Sequence, residues 1–354
     1  MEWRKTGLQK SALSLVVILT VGLLSAARAE TLDQLYEKAK LEKALSIYTG
    51  AGPGAAKAAA DAFEKRFPGI AVTPHGGFSN VLDLEIDRQL KDNTVTADYV
   101  QFQTVSDYHR WDKMGALLHF KPEGFDQVFA AMKDKNGAWV AVNAIPIVYG
   151  YNPDKVQEAD VPKSARDFLK PQFHDKLVTA YPTDDDATMY DFDLIVRKYG
   201  WDYMKKYMAN RPFFIQGHRD VAARVKSGED FVSLDVTNGS QINAPGQVGK
   251  LKIVMSAKDK TPVFFTAGGI LKKAPHPNAA KLFVSWMLSK EQQSRFPALY
   301  SPRRDMPPPA GMPPLTDPRF ANGYRDFLGD GTKLAALRKR YEAFTGPVIN
   351  KATQ

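Results

Sequence analysis

The chain has 354 residues, 44% of them hydrophobic and 25% charged, with 48 lysines and arginines against 39 aspartates and glutamates and no cysteine. At ~150 residues per domain this length holds two domains with cores of their own, and the ordinary charged and apolar fractions exclude wholesale disorder. Without cysteine there are no disulfides, thiolate metal sites, iron–sulfur clusters or cysteine nucleophile, and a net charge of +9 is modest for the length rather than a nucleic-acid signature.

Residues 1–29 have the three-part layout of a cleavable secretory signal peptide. Arg4, Lys5 and Lys10 form a basic start, an apolar run follows from Leu13 to Leu24, and Ala27-Arg28-Ala29 supplies the small-residue cleavage site. The run falls short of the ~20 apolar residues of a membrane span. Loss of Arg4, Lys5, Lys10, Arg28 and Glu2 leaves 44 basic and 38 acidic residues, a net +6. An exported chain without cysteine cannot carry a lipidated cysteine, so a soluble periplasmic protein is expected.

Beyond the leader, strands alternate with helices. Leu45–Tyr48 reads as a strand running into the turn Thr49-Gly50-Ala51-Gly52-Pro53-Gly54. A helix follows to Phe67, with Ala55, Ala59, Phe63 and Phe67 at four-residue spacing, and Pro68-Gly69 ends it. Ile70–Val72 is a second strand. After the loop Gly76–Asn80, a second helix carries Leu82, Ile86 and Leu90 on one face, with Ser79 or Asn80 as its cap. Asp98–Val100 is a third strand. Repeated βα units of this kind predict a sheet with much parallel pairing and helices on both faces. The longer apolar stretch Ala138–Tyr151 breaks the rhythm, and a second βα series follows it. Leu177–Ala180 and Phe231–Leu234 read as strands, Phe192–Tyr199 as a helix face, and Asp220 as the cap of a short helix. Asn278 is expected to cap a helix with Ala279, Leu282, Phe283 and Trp286 in a stripe. A proline cluster at 305–318 precedes a last helix with Leu334, Leu337, Tyr341 and Phe344.

The pieces Ala62–Val72, Ala97-Asp98-Tyr99-Val100, Ile147–Pro153, Ala267-Gly268-Gly269-Ile270-Leu271 and Pro277–Lys281, in this order and spacing, resemble a type II periplasmic solute-binding protein of an ABC importer, nearest the ferric-iron-binding branch. The resemblance covers nearly all of the chain after the leader. It implies an α/β fold of two lobes, each a mixed, mainly parallel sheet flanked by helices, joined by a two-strand hinge. Residues 30–148 and 265–354 would form lobe 1 and residues 149–264 lobe 2. It also implies a monomeric receptor that holds its solute between the lobes and delivers it to an inner-membrane permease with its ATPase.

Candidate ligand residues lie where strands end and helices begin, the place where open α/β sheets bind ligands. Thr49, Gly50, Ala51 and Gly52 either make a plain tight turn or expose backbone N–H groups to an anion at a helix N-terminus. Ser79 and Asn80 repeat that arrangement, with simple capping as the alternative. Gln101 and Gln103 offer neutral amides past the third strand. Thr183, Asp184 and Asp185 open a helix, and their acids either complement its dipole or bind ligand hydroxyls, an amine or a metal. Asp235, Thr237 and Asn238 end a later strand. The ferric branch carries adjacent tyrosines after that strand, whereas this chain has Asp235–Ser240 there, and Gln103 or a neighbour stands where the branch has an acidic ligand. Neutral Thr, Asn and Gln are poor donors for ferric iron. No metal and no cofactor are therefore assigned, and a phosphorylated, phosphonate or carboxylate solute is expected, with ferric iron through Tyr181 and Tyr190 as the alternative. An aromatic solute could instead stack on Phe78, Trp111 or Tyr181.

An enzyme is not indicated. There is no G-x-S-x-G, since Gly77-Phe78-Ser79-Asn80-Val81 fails at its last position, and no H-E-x-x-H, and the six histidines are scattered singly. The basic runs Lys272-Lys273 and Arg338-Lys339-Arg340 are short and belong to amphipathic elements. Without interleaved aromatics they do not suit nucleic acid.

Overall fold

The computed structural model describes residue 1 and residues 29–242 and 248–350; the leader proposed at 1–29 falls almost wholly outside them. The described chain starts with α1 (Leu32–Glu42), which Thr31 and Gln34 cap reciprocally. Then come β1 (Ala44–Thr49), α2 (Pro53–Arg66), β2 (Ala71–Gly76), α3 (Ser79–Asp92), β3 (Tyr99–Phe102), α4 (Val105–Lys113), β4 (Leu117–Leu118) and β5 (Val140–Ala141). β1 pairs in parallel with β2 on one side and β3 on the other, as the βα rhythm predicts. α2 turns Ala56, Ala60 and Phe63 into the core, where Phe63 meets Phe67, Phe283 and Trp286 at ring distances of 5.0–5.5 Å.

The chain then crosses to a second sheet. β6 (Ile145–Tyr151) is its centre, and residues 142–144 form the crossing. β7 (Val178–Ala180), α5 (Asp186–Tyr199), α6 (Asp202–Ala209), β8 (Phe213–Ile215), α7 (His218–Ser227), β9 (Val232–Thr237), β10 (Lys252–Val254) and β11 (Thr261–Phe264) complete this lobe. β9, β10 and β11 all run antiparallel to β6, while β7 and β8 pair in parallel. The chain returns at 265–266 into β12 (Ala267–Leu271), which joins the first sheet antiparallel to β3 and β5. The two crossings are tied together: Val142 N–H donates to Thr266 O at 3.1 Å and Thr266 N–H to Asn143 Oδ1 at 2.9 Å. Ala138–Tyr151 is apolar but for Asn143, and that residue stands at the crossing, where its side chain holds the returning strand.

α8 (Pro277–Leu288) and α9 (Lys290–Gln293) pack with the first lobe. The tail then leaves it. β13 (Phe320–Ala321) pairs with β11, α10 (Tyr324–Leu328) lies between α4 and α5, and α11 (Gly331–Thr345) lies on α6, with Tyr341 against Phe192 and Trp201. β13 and α11 thus pack on elements of the second lobe, and α10 bridges to the first through Tyr324 and Arg325; the stripe on α11 says that it packs, not on what.

Three caps differ from expectation. Ser79 and Asn80 are the first helical residues of α3 behind Phe78, and α7 starts at His218 behind Gly217, so Asp220 sits inside its first turn. Asn278 is likewise inside α8. There the distant Glu42 carboxylate accepts from Asn278 N–H at 3.1 Å and Ala279 N–H at 2.8 Å, a cap supplied by α1.

Candidate functional site

The turn after β1 is built by its own residues. Thr49 Oγ1 accepts from Ala51 N–H at 3.2 Å, and Gly50 N–H donates to Gln101 O at 2.9 Å. Gly52 caps α2 at φ +81°, a conformation that favours glycine, and Pro53 follows at the first helical position, where its missing N–H costs nothing. Gly76 passes so close that a Cβ there would lie 2.5 Å from Gly52 O. The β2–α3 turn is thereby pressed against the β1–α2 turn. Ser79 Oγ then accepts from Gln103 N–H at 3.3 Å, joining α3 to the end of β3.

The second lobe brings a third turn of the same kind. Gly217, at φ +83°, caps α7 and fits against the Phe78 ring, 2.8 Å from where its Cβ would be. The N-termini of α2, α3 and α7 therefore converge on one interlobe cavity of about 330 Å³. First-turn N–H groups have no acceptor within their own helix and carry partial positive charge, so the convergence forms a field suited to an anion.

Hydrogen bonds close the lobes around this space. Asn80 Nδ2 donates to Asp184 Oδ1 at 2.9 Å, Gln103 Nε2 to Asp185 Oδ2 at 3.1 Å, and Tyr324 O–H to Gln103 O at 3.0 Å. Asp185 also caps α5, accepting from Ala187 N–H at 2.8 Å.

His218 is the electrostatic centre of the lobe 2 wall. Its Nε2 lies 2.8 Å from Asp235 Oδ1 and its Nδ1 3.5 Å from Asp185 Oδ2, and the ring stacks on Phe264. Burial opposes a charge there, but the two carboxylates outweigh it and hold the pKa up at about 9. At neutral pH the imidazole is a cation, and it faces the cavity beside Arg219.

Of the residues singled out in the sequence, Gly50, Ala51, Gly52, Ser79, Asn80, Gln101, Gln103, Asp184, Asp185 and Thr237 line this cavity. Four do not. Thr49 turns inward to brace its own turn. Thr183 lies outside the wall, its hydroxyl buried without a partner. Asp235 is fully buried and accepts from Ala180 N–H, Thr179, Thr188 and His218. Asn238 donates to Ala298 O at 3.0 Å. Nor do the reserve phenols reach the cavity: Tyr190 O accepts from Gly323 N–H at 3.1 Å inside an aromatic cluster, and Tyr181 lies buried against Phe214. Trp111 is core, while Phe78 does line the wall. Among the described residues, no three His, Asp or Glu side chains are grouped to hold a metal ion.

Sequence reasoning missed Asn143, Gln216, Gly217, His218, Arg219, Phe264 and Thr266. The pattern Ile215-Gln216-Gly217-His218 repeats the strand–glycine–helix motif of Thr49–Pro53, but its strand is only three residues long and was hidden by that brevity.

The comparisons agree with this architecture. Iron-bound HitA from Pseudomonas aeruginosa superposes with a TM-score of 0.69 at 21% identity, covering 84% of this chain and 99% of that one. AfuA from Actinobacillus pleuropneumoniae with fructose-6-phosphate gives 0.70 at 19% identity, covering 85% and 98%. The fold is therefore the two-lobe fold of type II periplasmic binding proteins. A probable ABC transporter periplasmic-binding protein of Sinorhizobium fredii is 23% identical over 235 residues, which are 64% of this chain and 65% of that relative. The chain thus spans just under two thirds of that relative's length. The family model for bacterial extracellular solute-binding proteins matches residues 93–327, more than half of the sequence, and the chain belongs to that family.

Proposed function

We propose that this protein is the periplasmic receptor of an ABC importer, a non-catalytic monomer that closes on a small anionic, oxygen-rich solute and presents it to the membrane permease and its ATPase. The observation that carries the reading is the convergence of three helix N-termini on one cavity of about 330 Å³. That size is within the ~300–1,000 Å³ usual for small-molecule sites. A phosphate, phosphonate or carboxylate group meets the N–H field, and Asp184 with Thr237 stands ready for the hydroxyls of the remainder. The AfuA neighbour, solved with fructose-6-phosphate, makes a phosphorylated sugar a natural first probe.

Ferric iron is the weaker reading for this chain. The iron-bound neighbour is 21% identical and argues for the fold alone, and both candidate phenolate donors, Tyr181 and Tyr190, are turned into the protein interior. We place the lobe boundary at the crossings, 142–144 and 265–266, with ligand contacts to both sides favouring closure.

Thermal unfolding with inorganic phosphate, a hexose phosphate, an alkylphosphonate and ferric citrate tests the reading. A ligand at 100 times its Kd stabilises the folded protein by ~2.7 kcal/mol, so a phosphorylated solute should raise Tm with concentration. A shift with ferric citrate and none with any phosphorylated or phosphonate compound would overturn it.

A further inference from the structure

A second, larger recess of about 560 Å³ lies directly behind the Thr49–Gly52 turn, on the first lobe between α2 and the end of α8. Its chemistry is the opposite of the first. One wall is the α2 face bearing Ala55, Ala58, Ala59 and Ala62, an i, i+3, i+4, i+7 stripe of the kind that helices normally bury. Here Ala55 and Ala58 stay exposed, because the buried stripe of α2 is the neighbouring one through Ala56, Ala60 and Phe63. The facing wall is Phe283, Met287, Phe296 and Leu299, and Phe296 remains 54% exposed at the mouth. The space is therefore a recess open to solvent at Phe296, with apolar walls on two sides and a volume within the ~300–1,000 Å³ usual for small-molecule sites.

The two spaces adjoin. Ala51, Gln101 and Asn143 line both. At this partition Ala51 offers only a methyl group, and the two amides are already engaged: Gln101 Nε2 donates to Thr266 Oγ1 at 3.2 Å, and Asn143 Oδ1 accepts from Thr266 N–H at 2.9 Å. The Gln101 amide and the Asn143 carbonyl oxygen are thus held within the protein at the wall that the two spaces share.

Building on the anion reading of the first cavity, we infer that the second chamber takes the apolar part of the same solute, so that the ligand class is an amphiphilic anion, an alkyl or aryl ester of phosphate or phosphonate. The charged head sits at the N-termini of α2, α3 and α7. The tail passes Ala51 and lies along the alanine face of α2 against Phe283 and Phe296. The inference also accounts for alanine at four successive facing positions, since any larger side chain there would fill the channel.

Isothermal titration with inorganic phosphate, methyl phosphate, butyl phosphate and octyl phosphate tests this. Each methylene that enters the chamber should tighten binding about fourfold, the equivalent of ~0.8 kcal/mol per buried CH₂. Ala58→Trp should abolish that gain while inorganic phosphate binds as before; Ala59→Leu, a smaller change, repeats the test should the tryptophan variant unfold. Affinity independent of chain length, with inorganic phosphate still bound, overturns the inference and leaves the anion reading intact. Equal weakening of inorganic and octyl phosphate by Ala58→Trp also overturns it. Failure of every phosphate compound to bind removes the anion reading and this inference together.

Discussion

Replacing His218 by glutamine probes the electrostatic centre of the cleft. The imidazole is nearly buried, 2.8 Å from Asp235 and 3.5 Å from Asp185. Its pKa rises from 6.5 to about 9 on folding, held there by those carboxylates against the cost of burial. At ~1.36 kcal/mol per tenfold change in proton affinity, that rise corresponds to about 3 kcal/mol of folding stability. Because the folded pKa is the higher one, the contribution is complete below about pH 6.5, declines as pH rises, and is gone once pH passes about 9. Glutamine keeps a donor for Asp235 but carries no charge at any pH. Urea unfolding of both proteins at pH 6, 7, 8, 9 and 10, at constant ionic strength, should give a gap of about 3 kcal/mol at pH 6 that shrinks steadily and closes by pH 10. Added salt should change it little, since the pair is shielded from solvent. A gap of constant size across this range would refute the argument, because it would mean that His218 contributes by packing and not by charge.

Three further outcomes follow from the geometry. Gly76→Ala places a Cβ 2.5 Å from Gly52 O, a backbone atom that cannot swing away, so stability should fall by ~1–3 kcal/mol and binding should weaken; an unchanged urea midpoint would contradict the close approach. The double variant Asn80→Ala, Gln103→Ala removes the cross-cleft bonds to Asp184 and Asp185, each worth ~1 kcal/mol, and should shift the ligand-free lobes toward an open form by roughly tenfold or more. Small-angle X-ray scattering would register this as a larger radius of gyration, and an identical profile would show that other contacts hold the lobes. Glu42→Ala strips α8 of its cap and leaves the Asn278 and Ala279 N–H groups without their acceptor; a loss of ~1–2 kcal/mol in chemical unfolding is expected, and a loss under ~0.3 kcal/mol would mean that water replaces the carboxylate freely.

Much of the first lobe was legible in the chain. The four-residue spacing of Ala55, Ala59, Phe63 and Phe67 marks a helix, Pro68-Gly69 its end, and Thr49–Gly54 a turn at a strand end, and the structure has all three. Ten of the fourteen site candidates reach the cavity for the same reason: strand-end loops are exposed wherever such a sheet folds. Asp235 misses it because depth along the strand decides. Asp235 and Thr237 share a strand and a face, yet the carboxylate lies deeper, covered by His218 and Thr188, while the threonine at the strand end lines the cleft. His218 escaped notice because a lone histidine carries no pattern; its significance comes from two aspartates, 33 and 17 positions away, that folding sets on either side of it.

The sequence by itself therefore determined the local events: which segments wind or extend, where they stop, and that glycine turns precede helices. These depend on side-chain spacing and backbone preferences within a few residues. Only the tertiary structure decided which sheet each strand joins, that α11 packs on α6, and that three helix N-termini share one space beside an alanine-lined recess. Those outcomes rest on contacts between residues far apart in the chain, such as Asn80 with Asp184, 104 positions away. No periodicity encodes such a pairing, because it is settled by how whole elements bury their apolar faces against one another.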